Sequence, residues 1–246
     1  MKIVQPSVEL LWITPQAEKM IEIAGRTCYK SEPKVFEDCL KCKGTGKQNL
    51  DVEFINDKKE VIRSTEWEFC KVDCSVCSER SSRGFIQKII KSGHHSVIEH
   101  CSASLKLVTD NGIMREITRH RLFSYSIEST RYCNYSSNKF GNEISIIKPS
   151  QIIDNSNKYA LWIIAMHCAE TNYIRLSNDG VSPQIARSIL PLCTKCEIVM
   201  TGNFRNWRHF LKLRLASNAH PDMILLARKI NEVLKKESPT VFDDNY

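Results

Sequence analysis

The chain has 246 residues and a formal charge of +7, with 42% hydrophobic and 26% charged residues. That balance excludes a disordered tail and fits an ordinary globular protein of one large or two modest domains. No run approaches the roughly 18 apolar residues of a membrane span, and the first six residues, ending at Pro6, hold no apolar signal core. A cytoplasmic, reducing setting is expected, in which the eleven cysteines are thiols or metal ligands rather than disulfides.

Thr14-Pro15 reads as a helix N-cap with proline at the first helical position, opening a helix that runs to about Gly25. Residues 36–82 change character, with two CxxC pairs and a Lys-Gly-Thr-Gly turn, and read as an inserted module within a 1–246 domain. Residues 84–92 are helical, with Gly93 placed to end the helix. At 101–108, Cys101, Ala103, Leu105 and Leu107 alternate with Ser102, Ser104, Lys106 and Val108, the pattern of a half-buried strand. Asp110-Asn111-Gly112 makes a turn, followed by a short helix within 113–123. The longest helical pattern spans 157–177 and stops at Asn178-Asp179-Gly180. Ser182-Pro183 starts another helix, 197–201 forms a strand, and 206–216 and 221–236 form two more helices. The class is α+β, with helices dominating.

The densest polar cluster lies between Arg119 and Tyr132, with Arg119, His120, Arg121, Glu128, Ser129, Thr130 and Arg131 in close succession. A guanidinium suits phosphate because its planar fork donates two hydrogen bonds and stays charged. Serine hydroxyls and turn N–H groups complete such a cradle. A basic surface with caps is the bland alternative. Further arginines stand in apolar company, Arg187, Arg205, Arg208 and Arg214, where an arginine is normally paired. Their partners are either a ligand with several anionic groups, such as a nucleotide or dinucleotide, or Glu99, Glu116 and Glu170. Ser129 lacks the G-x-S-x-G frame of a nucleophile elbow. His95, Glu99 and His100 miss the inverzincin spacing by one residue.

Arg119-His120-Arg121, then seven residues and Ser129, resembles the signature of the flavin-dependent thymidylate synthases. Similar blocks occur at 93–100, at 186–192 around Arg187, and from Thr201 through Arg214, in the family's order. The resemblance implies a fold of helices packed on a mostly antiparallel sheet and a homotetramer with shared active sites. It implies conversion of dUMP to dTMP with methylenetetrahydrofolate as one-carbon donor and NADPH-reduced FAD as hydride source. Carried over by position, Arg214 is catalytic. A cation beside the uracil ring stabilises negative charge as the ring becomes nucleophilic. Arg115, Glu116, Glu128, Ser129, Thr130, Arg131, Arg187 and Arg214 fall where the family binds dUMP. Cys28, His94, Ser96, Arg119, His120, Arg121, Ile127, Asn203, Arg205 and His209 fall where it binds FAD. Ile127 departs from the acidic residue some members carry there, which leaves only a backbone contact.

The 36–82 module has its own chemistry. Cys39-x-x-Cys42 and Cys74-x-x-Cys77 resemble zinc knuckles, each presenting two sulfurs to one ion, and predict a structural zinc in a ribbon-like insertion. Cys70 offers an alternative ligand. Disulfide or redox use and plain thiols are the competing readings. A zinc ribbon in a basic protein also raises nucleic-acid binding as a different class of function. The module, however, holds ten acidic and eight basic residues, so the basic excess lies elsewhere. A DNA-contacting module would carry that excess itself, so nucleic acid is disfavoured as a partner.

Overall fold

The computed structural model describes residues 1–31, 38–41, 53–55, 61–63 and 75–243. The chain divides into two compact units, one formed by Met1–Pro15 with Cys101–Tyr246 and the other by Gln16–His100.

The first unit is built on a four-stranded antiparallel sheet of β2 (Ser7–Ile13), β5 (Ser102–Asp110), β8 (Lys195–Asn203) and β6 (Ser124–Ile127), in that spatial order. The alternation read in the sequence is realised in β5, where Ala103, Leu105, Leu107 and Thr109 are buried and their neighbours half-exposed. β8 alternates in phase, burying Cys196, Ile198, Met200 and Gly202. The buried face packs on α6 (Phe204–Arg214) and α7 (Pro221–Glu237). Trp207 of α6 is fully buried, and its indole N–H donates to the Ala103 carbonyl at 3.1 Å. Gly202 is required where Phe123 crosses β8, since a Cβ there would stand 2.4 Å from the ring.

A second core gathers Tyr135, Ile144, Ile146, Tyr173 and Ala186 between α4 (Asn157–Asn178), α5 (Pro183–Ala186) and β7 (Ser145–Ile147). β7 pairs in parallel with β1 (Lys2–Val4). α3 (Asn111–Ile117) begins two residues earlier than the turn reading allowed, because Asp110 caps it by accepting from the Ile113 N–H at 2.8 Å.

The second unit contains α1 (Ala17–Tyr29), α2 (Ser75–Lys91), a 3-10 turn His95–His100 and a short antiparallel pair, β3 (Glu53–Ile55) with β4 (Val61–Arg63). Two local expectations are corrected here. Thr14 does not cap α1; the residue before the helix is Gln16, with φ of 49°, while the Thr14 hydroxyl accepts from the Ser102 N–H at 2.9 Å. Gly25 does not end α1; it lets α2 approach, since a Cβ would meet Phe85 at 2.5 Å. The helix expected at 84–92 already starts at Ser75, and Gly93, with φ of +73°, closes it as expected. Glu22 ties the two helices together. Its buried carboxylate accepts from Arg26 at 2.7 Å, Lys19 and Ser81 at 3.0 Å, and Ser82 at 2.5 Å.

Candidate active site

α6 ends on Arg214, and α3 leads into the Arg119–Arg121 turn, so the sheet-packed helices deliver both ends of the candidate site to one place. The Arg214 guanidinium is gripped on three sides. Its Nε donates to His120 Nε2 at 2.9 Å, Nη1 to Glu116 Oε2 at 3.0 Å, and Nη2 to the Glu116 carbonyl at 2.7 Å. An arginine carries five N–H donors, so two remain for a ligand. The His120 ring packs at 4.7 Å from Phe210, with His209 at 6.2 Å and Phe123 at 6.4 Å. Burial, the Arg214 charge and His209 lower its pKa to about 4, so the ring is neutral near pH 7. The turn beneath it is closed by Tyr125, whose hydroxyl lies 2.9 Å from the Ile117 carbonyl and 2.8 Å from that of His120.

The 128–133 turn forms the second part. Ser129 organises it: its carbonyl accepts from the Tyr132 and Cys133 N–H groups at 3.1 and 2.9 Å, and its hydroxyl from the Arg131 N–H at 3.3 Å. Arg187 donates to the Thr130 hydroxyl at 3.4 Å, bringing the two predicted phosphate segments together. The Glu128 carboxylate points inward instead. It accepts from Tyr135 Oη at 3.0 Å, the Glu197 N–H at 3.1 Å and Lys195 Nζ at 2.9 Å. Burial and the adjacent Glu128 push the Tyr135 phenol far up, so it stays a donor.

The arginines divide sharply. Arg214 is paired with Glu116, as the ion-pair alternative held. Arg115, Arg119, Arg121, Arg131 and Arg187 are exposed, and none forms an ion pair with a carboxylate among the described residues. Glu170 serves elsewhere, accepting from the Ile144 N–H at 3.1 Å. Open cations of this kind fit the phosphates of a nucleotide or of FAD. Asn203 caps α6 through Oδ1, which accepts from the Asn206 N–H at 2.9 Å, and keeps its amide N–H groups for a ligand. Ile127 is 37% exposed, and Arg205 and His209 are exposed on α6.

Three residues assigned to flavin, Cys28, His94 and Ser96, lie in the Gln16–His100 unit and are exposed. His94 Nδ1 is hydrogen-bonded to the Tyr29 hydroxyl, and the rings stack at 6.1 Å. Sequence reasoning missed Tyr29, Tyr125, Tyr135 and Lys195. Tyr29 and Lys195 work through partners distant along the chain, while Tyr125 and Tyr135 reach back five to eight residues across turns that no periodic pattern marks.

Of the zinc expectation, Cys42 and Cys74, with the alternative ligand Cys70, lie outside the described residues. Cys39 and Cys77 are buried and line one cavity of about 380 Å³ with Asp38, Leu40, Lys41, Val76 and Arg80. The 38–41 segment is pinned to α2 by Arg80 on Asp38 at 2.8 Å and Lys41 on Ser75 at 2.8 Å. Among the described residues, no three His, Cys, Asp or Glu side chains converge on a metal position. Cys193 and Cys196 have pKa values raised to about 11 and about 12, chiefly by burial, and are inert thiols. No helix among the described residues is long and apolar enough to cross a membrane.

Fold and site together define an α+β protein with one fixed arginine, Arg214, and several exposed arginines that have no carboxylate partner among the described residues. Residues 9–240 match the family described as Thymidylate synthase complementing protein, and the chain belongs to that family. It is 32% identical to a flavin-dependent thymidylate synthase of Corynebacterium efficiens, over 97% of this chain and 84% of that protein. It is 33% identical to the Mycolicibacterium gilvum enzyme of the same name, over 65% of this chain and 68% of the relative. The corresponding Geobacter sulfurreducens enzyme is 26% identical over 96% and 85%.

Proposed function

We propose that the protein is a flavin-dependent thymidylate synthase, converting dUMP to dTMP with methylenetetrahydrofolate as one-carbon donor and NADPH-reduced FAD as hydride source. The observation that carries this reading is the arrangement around Arg214, fixed by Glu116 and by His120, whose chain neighbours Arg119 and Arg121 are exposed and have no carboxylate partner among the described residues. FAD, when bound, supplies the hydride that completes the methyl group.

The chain's own residues orient and stabilise. Arg214 turns its two remaining N–H groups to the uracil ring and stabilises the charge that develops there. Ser129, Thr130, Arg131 and Arg187 hold the dUMP phosphate, and Arg115 and Glu116 border the same nucleotide. Glu128 enters through its loop, which its inward carboxylate anchors to Tyr135 and Lys195. Arg119, His120, Arg121, Ile127, Asn203, Arg205 and His209, with Cys28, His94 and Ser96, hold FAD. The test is turnover. Wild-type protein supplied with dUMP, methylenetetrahydrofolate and NADPH makes dTMP and carries flavin absorbance, whereas Arg214→Ala retains flavin and makes none. Normal turnover by that variant would refute the assignment.

The protein works in the cytoplasm as a homotetramer with shared active sites. Support for self-association comes from α4, which exposes Leu161 by 73% and Ile164 by 66%. Light scattering should give four times the 28.3 kDa chain mass, and a monomer would exclude the assembly. A structural zinc is held by Cys39, Cys42, Cys74 and Cys77. Its support is the burial of Cys39 and Cys77 against one cavity. Metal analysis under reducing conditions should return about one zinc per chain, and none would remove it.

A further inference from the structure

The contact between Arg214 and His120 fixes more than a distance. Arg214 Nε has only a hydrogen to offer, so His120 Nε2, 2.9 Å away, must present a lone pair. The ring is therefore neutral, and its proton sits on Nδ1. A protonated ring could not accept and would place a second positive charge against the guanidinium. The surroundings hold this state: Phe210 and Phe123 pack on the ring, and burial is the first cause of its low proton affinity. The ring's backbone is held as well, because the Tyr125 hydroxyl bonds the His120 carbonyl at 2.8 Å. Glu116 grips the guanidinium's two terminal nitrogens through its carboxylate and its carbonyl, but it leaves Nε to be fixed by something else. His120 supplies the third contact, and three contacts fix the plane of the fork.

We propose that His120 is a positioning residue for the reaction: as a neutral acceptor on Arg214 Nε, it sets the plane in which the guanidinium meets the pyrimidine. The proposal deepens the reading of Arg214 given above and rests on it. It assigns His120 a task on the nucleotide side of the site, in addition to any contact with flavin.

The experiment uses FAD-loaded protein and three substitutions. His120→Leu removes the acceptor and should lower kcat on the order of 10- to 100-fold, the worth of a charge-assisted hydrogen bond, with KM for dUMP changed by no more than about threefold. His120→Gln returns an acceptor oxygen and should recover most of that loss. In an Arg214→Lys background, which has no Nε fork, His120→Leu should add little further loss. A glutamine variant as slow as the leucine variant, or equal losses from His120→Leu in both backgrounds, would overturn the positioning role. Nitrogen-15 spectra of histidine-labelled, FAD-loaded protein give a readout independent of turnover. One neutral ring protonated on Nδ1 should appear at pH 7, vanish in His120→Gln and shift in Arg214→Ala. A ring that is charged or protonated on Nε2 overturns the proposal even if the leucine variant fails to fold. Normal turnover by Arg214→Ala defeats the catalytic reading itself, whatever the His120 variants do, so the two failures are separable.

Discussion

In the Gln16–His100 unit, Glu22 surrenders both carboxylate oxygens to Lys19, Arg26, Ser81 and Ser82 and is only 1% exposed. In the other unit, Arg115, Arg119, Arg121 and Arg131 carry their charges into solvent with no carboxylate partner among the described residues. A buried charge is tolerable only when its hydrogen-bonding capacity is filled, so Glu22 holds two helices together and has nothing left for a ligand. An exposed arginine costs little to leave open, and its donors stay available to a polyanion. Arg214 stands between these extremes, 18% exposed, with three N–H groups committed and two in reserve. Filled capacity therefore marks the charges that maintain the fold, and reserved capacity those available to chemistry.

The comparison is broken most severely at Glu22. Replacing it with Ala removes the acceptor that Arg26, Ser81 and Ser82 share, and should cost about 3–5 kcal/mol in denaturant unfolding. A loss below 1 kcal/mol would mean the clamp is decorative.

Acid should act more gently and in two stages. The His120 pKa is lowered to about 4 from an ordinary 6.5, so the unfolded chain takes up the proton first, and stability falls as pH drops from 6.5 toward 4. Burial alone would raise the Glu22 pKa, but hydrogen bonds from Ser82, Arg26 and Lys19 hold it below its ordinary 4.5. Its contribution is complete above that value and is lost as pH falls further. Melting temperatures measured from pH 7 to about pH 2.5 should decline through both ranges, and His120→Gln should flatten the upper one. An unchanged upper slope in that variant would contradict the charge state assigned to His120.

The smallest effect belongs to Lys106, which meets Glu197 at 2.8 Å on the half-exposed face of the sheet. Lys106→Ala should leave the denaturation midpoint within replicate scatter, because solvent screens such pairs. A clear drop would show that the exposed charges also maintain the fold.

The sequence revealed its structure where a pattern is local. The alternation in β5 and the three- and four-residue spacing in α4 and α7 required no knowledge of distant residues. Gly25 misled because a helix-ending glycine and a helix-packing glycine look alike until Phe85 is placed against it. Thr14 misled because its hydroxyl is used by Ser102 across the sheet rather than by the helix that follows. In the candidate site the arginines are legible as a motif, and Glu116 is legible both as an ion-pair partner and, through the family resemblance, as a nucleotide neighbour. The supporting tyrosines and Lys195 were not legible. Tyr125 grips the carbonyls of Ile117 and His120, and Tyr135 meets Glu128 only after the 128–133 turn has folded.

Arg131→Ala tests the division between committed and reserved charge most directly. In FAD-loaded protein, calorimetric titration with dUMP should show the dissociation constant rising on the order of 10- to 100-fold, the value of a charge-assisted contact to phosphate, while the melting temperature without dUMP stays unchanged. Unaltered dUMP affinity, or a melting temperature that falls with the substitution, would contradict the account.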